Sequence, residues 1–201
     1  MKKNKFSKNW IIKQKRDIYV KQSKIEGYRS RAAYKLQEIN HKFKILKNGI
    51  HLVDLGAAPG SWSQFVSKNF KNTKIASIDI KEMEEIKSVN LIKGDFTNET
   101  QQKKIIDYFR SKIDVVISDM AVNTTGNKNV DSIVTGELSI EALNFSTNTL
   151  KKHGIFVSKI FMGTSFNEII EIAKKNLKKF IYLNRHLVGK IQRKALLFVN
   201  I

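Results

Sequence analysis

Short apolar runs alternate with longer amphipathic stretches along this chain, and the two periods separate cleanly. The runs at 50–55, 74–79, 89–92, 113–118 and 155–160 are rich in Ile, Val and Leu and too short for helices, so they read as buried strands. Ala32, Leu36, Ile39, Phe43 and Leu46 recur every three or four residues and predict a helix from Ser30 to about Lys47 with that stripe inward. Phe166, Ile169, Ile170, Ala173 and Leu177 predict a last helix near 165–178, and two further strands follow at 180–187 and 194–200. Strands alternating with helices imply an α/β fold, a mostly parallel sheet covered by helices on both faces. The two closing strands, joined by a short loop, bring the count to seven and reverse one of them, giving one antiparallel strand. No repeat and no Pro/Gly/Ser-rich linker interrupts residues 26–201, which read as a single domain.

One turn carries more chemistry than the rest of the pattern. The run Ile50 to Leu55 ends in Asp54-Leu55-Gly56, passes through Ala57-Ala58-Pro59-Gly60, and enters a helix carrying Trp62, Phe65 and Val66, with Ser61 as its expected N-cap. Strand, glycine turn, helix is how doubly wound folds hold a nucleotide-like ligand at the carboxyl edge of the sheet. The spacing is Gly-x-x-x-Gly, without the Gly-x-Gly-x-x-Gly that seats a pyrophosphate. It therefore suits an adenosine ligand without phosphates, S-adenosylmethionine above all. A plain tight turn would also use glycine here, but two more acids follow at strand ends. Asp79 closes the next strand, where a carboxylate accepts ribose hydroxyls, and Asp95 follows the third after Gly94. With Asp54 they would line one edge of the sheet. Trp62 has a second reading as a core aromatic, and Asp95 as the cap of a turn.

Composition narrows the field. There is no cysteine, so disulfides, thiolate nucleophiles and cysteine-bound metals are excluded, and the four histidines show no metal-ligand spacing. No metal is expected. No apolar run approaches the roughly 20 residues of a membrane helix and no secretory core opens the chain, so a cytoplasmic protein with no membrane partner is expected. The net charge of +19 points to nucleic acid, although only six of the 37 basic residues are arginine and lysine-rich chains also arise from A/T-rich codons. Residues 1–25 hold nine cations and one acid, Asp17, among Phe6, Trp10 and Tyr19. Such a segment fits an RNA-contacting arm, and it equally fits a solvated tail.

Four segments in order resemble the FtsJ/RrmJ (RlmE) family of ribosomal-RNA ribose 2′-O-methyltransferases. They are Gly27-Tyr28-Arg29-Ser30-Arg31-Ala32 with Lys35-Leu36, then Asp54 to Gly60 with Trp62-Ser63-Gln64, then Ser118-Asp119-Met120-Ala121 with Asn123, and Val157-Ser158-Lys159 with Phe161. The resemblance implies a Rossmann-like class I methyltransferase fold and S-adenosylmethionine as cofactor, held by Gly60, Trp62, Asp79, Asp95 and Asp119. It implies transfer to a ribose 2′-hydroxyl, a uridine of large-subunit ribosomal RNA, by a monomer that meets the RNA within the large subunit. Arg29, Arg31 and Lys35 become candidate RNA contacts, and the basic N-terminus gains weight as an arm.

Such a transfer displaces an already activated methyl group, so the protein must align the reactants and help the hydroxyl lose its proton. Lys159 sits inside an apolar strand, a costly place for an unpaired charge. The resemblance makes Lys159 the base, with Lys35 and Asp119 as partners. The chain departs from the family at its end. Where relatives carry a glutamate within a pattern like Ser-Arg-Glu-x-Tyr, it reads Gln192-Arg193-Lys194-Ala195-Leu196, and no acid follows Glu171. Ser61 and Val122 replace the usual glycine and proline. A different RNA substrate, or an RNA-binding assembly factor of weakened activity, are the alternatives this departure leaves.

Overall fold

The computed structural model of the 201-residue chain describes residues 18–120, 128–161, 166–176, 179–184 and 194–200. The elements are α1 (Ile18–Ile25), α2 (Ala32–Phe43), β1 (His51–Leu55), α3 (Ser61–Asn69), β2 (Lys74–Asp79), β3 (Val89–Lys93), α4 (Glu99–Phe109), β4 (Ile113–Ser118), α5 (Lys128–Thr149), β5 (Leu150–Phe161), α6 (Phe166–Asn176), β6 (Lys179–Asn184) and β7 (Lys194–Asn200). The strands lie in the order β3-β2-β1-β4-β5-β7-β6. From β3 to β5 every neighbour runs parallel, while β7 runs antiparallel to both β5 and β6. The order reverses at β1 and β4, which places the crevice of an α/β sheet beside the carboxyl ends of those two strands.

Alternation along each strand divides the core in two. Leu52, Ile75, Val115, Ile117 and Val157 pack with Ala33, Leu36 and Ile39 of α2 and Trp62, Phe65 and Val66 of α3. Val53, Ala76, Ile78, Val116, Phe156 and Ile160 face the other way, against Phe96, Ile105 and Phe109 and against Ala142, Leu143, Ile169 and Ala173 of α5 and α6. Each fully buried aliphatic side chain contributes roughly 1.5–3 kcal/mol relative to exposure. Because side chains alternate between faces, Lys159 shares its face with Val157, and Asp54 shares its face with Leu52. Both therefore point toward α2 and α3.

Several boundaries differ from the sequence reading. The helix predicted over Ser30–Lys47 stops at Phe43, because Lys44 turns left-handed with φ 52° and the Asn40 side chain accepts a hydrogen bond from the Leu46 amide. β5 begins at Leu150 rather than 155, and its register against β4 shifts between the Ile113–Leu150 and Val115–Ile155 pairs. Ser61 is not the N-cap: Gly60 occupies that position at φ 96°, and the Ser61 hydroxyl instead bonds Ser30 Oγ at 2.7 Å. The expected inward Leu177, together with Phe6 and Trp10 of the basic segment, lies outside the described residues. Ile18–Ile25, counted with that segment, is a helix docked on the domain: Ser23 is buried and the Tyr19 ring lies 5.5 Å from that of Tyr34.

Candidate active site

The carboxyl edge holds a cleft of about 490 Å³. Gly56 opens it at φ 67°, and a Cβ there would fall 2.0 Å from Met120 Cγ, so glycine alone lets the β1 turn and the β4 turn meet. Asp79 fixes the turn from the other side. One of its carboxylate oxygens accepts the Ala58 amide at 2.9 Å and the other the Lys81 amide at 2.8 Å. Asp79, Asp95 and Asp119 all line the cleft, and Ile78, Phe96, Met120 and Leu138 form its apolar walls. Asp95 also caps its own turn, accepting from both the amide and the hydroxyl of Thr97.

The other predicted cofactor residues sit differently. Trp62 is buried, donates Nε1–H to the Ala32 carbonyl, and lines a second cavity of about 50 Å³ beside the main cleft. Gly60 lines neither cavity. It turns there at φ 96°, a conformation that strains any residue with a side chain, and a Cβ would also crowd Ile86 Cδ1 and the Arg29 guanidinium. Asp54, expected at the edge, is turned inward and 1% exposed. It accepts the Ser63 hydroxyl at 2.6 Å, and Ser63 meets Ser77 Oγ at 2.6 Å. Burial pushes the Asp54 carboxyl up to about 7, with the carboxylates of Asp119 and Asp79 adding to the rise and the Ser63 hydrogen bonds opposing it.

Three residues far apart in sequence converge where the two cavities meet. Lys35 of α2 donates to Asp119 Oδ1 at 2.6 Å. Lys159 of β5 lies 3.0 Å from the same oxygen and also donates to the Asp119 backbone carbonyl. The lysine side chains are 11% and 9% exposed and that of Asp119 28%, so the pair is shielded while its shared carboxylate remains reachable. Burial works to raise the Asp119 pKa, but the Lys35 and Lys159 charges outweigh it and hold the carboxyl down at about 2. Lys35 also lies 5.3 Å from the centre of the Trp62 ring, which steadies it from below.

Of the residues expected to touch RNA, Arg31 is exposed at the start of α2. Arg29 has a different job. Its guanidinium donates to the carbonyls of Pro59 and Glu85, pinning the β1 turn to the segment after β2, while its amide donates to Gln64. Neither that clamp nor the Asp54–Ser63–Ser77 chain was legible in the sequence. The only signal was that Arg29, Ser63 and Gln64 stood inside recognisable segments. Phe96 and Leu138 were missed as cleft walls, because apolar residues after a strand and within a helix look like ordinary core.

At the reversed strand, Leu196 lies opposite Lys159 and Lys194 opposite Phe161. The segment that departs from the family is therefore paired directly to the strand bearing Lys159. Among the described residues, Asp119 is the one acid in contact with the two lysines.

The family model of FtsJ-like methyltransferases matches residues 28–193. The chain belongs to this family. It is a methyltransferase, and the methyl donor of these enzymes is S-adenosylmethionine. A protein of Pelagibacter ubique named ribosomal RNA large subunit methyltransferase E is 62% identical over 179 residues, covering 89% of this chain and 88% of its own. A Plasmodium falciparum crystal structure, named as a ribosomal RNA methyltransferase, is 30% identical with a TM-score of 0.75 and covers 86% of this chain and 97% of its own. A Streptococcus mutans methyltransferase crystallised in complex with SAH is 16% identical, with a TM-score of 0.54, covering 81% of this chain and 95% of its own; it shows the fold alone.

Proposed function

We propose that this FtsJ-like methyltransferase methylates the ribose 2′-hydroxyl of a uridine in large-subunit ribosomal RNA. The observation that carries the reading is the convergence of Lys35, Asp119 and Lys159 beside a cleft that suits the methyl donor. That cleft pairs a fixed carboxylate, Asp79, with apolar walls from Phe96, Met120 and Leu138, which matches ribose hydroxyls joined to a flat base. The reversed β7 and the strand order fit the class I methyltransferase plan, and the naming of the Pelagibacter relative supports the RNA class. Asp79 and Asp95 would hold the ribose side of the cofactor and Asp119 its methyl-bearing end.

Bound there, S-adenosylmethionine supplies a methyl group already activated by a positive sulfur. The remaining work falls to the protein. Asp119, ionised at any pH above about 3, fixes both ammonium groups at one point. Lys159, as the free amine once its own proton has passed to solvent, takes the proton from the 2′-oxygen as that oxygen attacks the methyl carbon and displaces the sulfur, and Lys35 keeps positive charge beside that oxygen. The shielding of both lysines strengthens these interactions. Retention of all three residues favours an enzyme over a binding-only assembly factor. The missing glutamate removes one acceptor for the incoming hydroxyl and leaves the cofactor cleft intact.

Tritiated methyl incorporation into undermethylated large-subunit RNA, compared with tRNA, tests the reading. Lys159→Ala abolishes transfer with cofactor affinity nearly unchanged, because its contribution is made at the acceptor. Lys159→Arg fails as well, since a guanidinium keeps the charge but does not release a proton near neutral pH. Substantial turnover by the arginine variant would leave Lys159 an electrostatic role only.

A further inference from the structure

Charge is not spread evenly over the two edges of the sheet. At the carboxyl edge, the end of β2 and the loops after β2 and β3 set Asp79, Glu82, Glu84, Glu85 and Asp95 against Lys81 and Lys87, while Arg29, Lys35 and Lys159 there are held by backbone carbonyls and by Asp119. The amino edge is the reverse. The segments 44–50, 70–74, 110–114 and 150–153 lie at or just before the starts of β1, β2, β4 and β5, and Asp114 is the single acid among them. These four strands are adjacent and parallel in the order β2-β1-β4-β5. Their amino ends therefore lie side by side, three inter-strand spacings or about 14 Å across. Codon bias would enrich both edges in lysine alike, so it does not explain the separation.

Helix dipoles explain part of it. The carboxyl ends of helices meet this edge and favour cations. Lys74 is used in this way on the Tyr108 carbonyl, Lys112 on the Asn148 carbonyl, and Lys151 pairs with Asp114 at 2.9 Å. Five cations remain: Lys44, Lys47, Lys71, Arg110 and Lys152. All are exposed, and none makes a side-chain ion pair or hydrogen bond among the described residues. A row of like charges held together without counter-charge is unfavourable in the free protein, and a polyanion removes that cost.

Resting on the RNA reading above, we infer that the amino edge of the sheet is a second RNA-contacting surface. There Lys44, Lys47, Lys71, Arg110 and Lys152 meet phosphates of the RNA that is methylated at the opposite edge. The contact is with backbone and carries no base readout, since four of the five are lysines, point charges without a planar fork of donors.

The test is the triple variant Lys47→Glu, Lys71→Glu, Lys152→Glu against a control of equal charge change, Lys87→Glu, Lys103→Glu, Lys104→Glu. Affinity for large-subunit ribosomal RNA is measured over a range of salt for both and for the unmodified protein, with S-adenosylmethionine affinity as the check on folding. The edge variant reduces the slope of log affinity against log salt by about 2–3, and the control by less than about 1. Equal reductions would mean that only total charge matters and would overturn the assignment. Methyl transfer by the unmodified protein to the same RNA is scored separately: its failure removes the RNA-methylation reading, whereas the slopes decide the surface.

Discussion

Asp54 shows how a residue's partners, and not its type, set its chemistry. It stands two residues before Gly56, which opens the cleft at the carboxyl edge, yet its carboxyl is buried against Ser63 and raised to about 7. Asp119, 65 positions later and 28% exposed, is lowered to about 2 by two ammonium groups. The two carboxyls consequently behave oppositely with pH. Asp54 binds its proton more tightly folded than unfolded, so its stabilisation is complete below about pH 4 and is lost as pH rises through about 7. Asn at this position does not titrate. The stability of Asp54→Asn relative to the unmodified protein should therefore rise by about 3 kcal/mol between roughly pH 5 and pH 8. Denaturant melts at several pH values measure this, and a pH-independent difference would show that Asp54 is ionised in the fold.

At the scale of elements, the site depends on α2 as much as on the strands. Lys35 reaches Asp119 because Leu36, fully buried with Ala33 and Ile39, sets the helix's rotation against the sheet. Neighbouring positions on a helix are turned by about 100°, so Lys35 stands at the border of the buried stripe. Leu36→Ala leaves a cavity in this layer and should cost about 2–5 kcal/mol. It should also lower methyl transfer more than cofactor affinity, because α2 supplies Lys35, the proposed partner of Lys159, and no wall of the larger cleft. A melt shift under about 1 kcal/mol would contradict the packing described for α2.

For the whole molecule, charge is the dominant property. Residues 1–17 contain seven of its cations and one acid. The helix that follows is anchored by Ser23 and by the Tyr19–Tyr34 contact, so a truncation must stop before Ile18 to leave the domain undisturbed. If the segment contacts RNA, its deletion reduces the slope of log affinity against log salt by roughly 0.7–0.9 per lost phosphate contact, and cofactor affinity is unchanged. An unchanged slope would identify it as a solvated tail.

The sequence alone determined the seven strands and their order along the chain, and the helices between them but not the one at Ile18–Ile25, because strand and helix periods are local properties of side-chain spacing. It also singled out the Gly56–Gly60 turn, since a backbone that must turn tightly at positive φ leaves few residue choices. Asp79 was legible for the same local reason, as an acid ending a strand. Tertiary structure decided what local spacing does not encode. It brought Lys35, Asp119 and Lys159 together across separations of 84 and 40 residues. It sent Asp54 inward through the parity of β1, and it spent Arg29 on two carbonyls 30 and 56 residues away. It also sorted the lysines, by laying the starts of four parallel strands along one edge. Pairing of this kind depends on which strands become neighbours, and that is set by burial on both faces of the sheet at once.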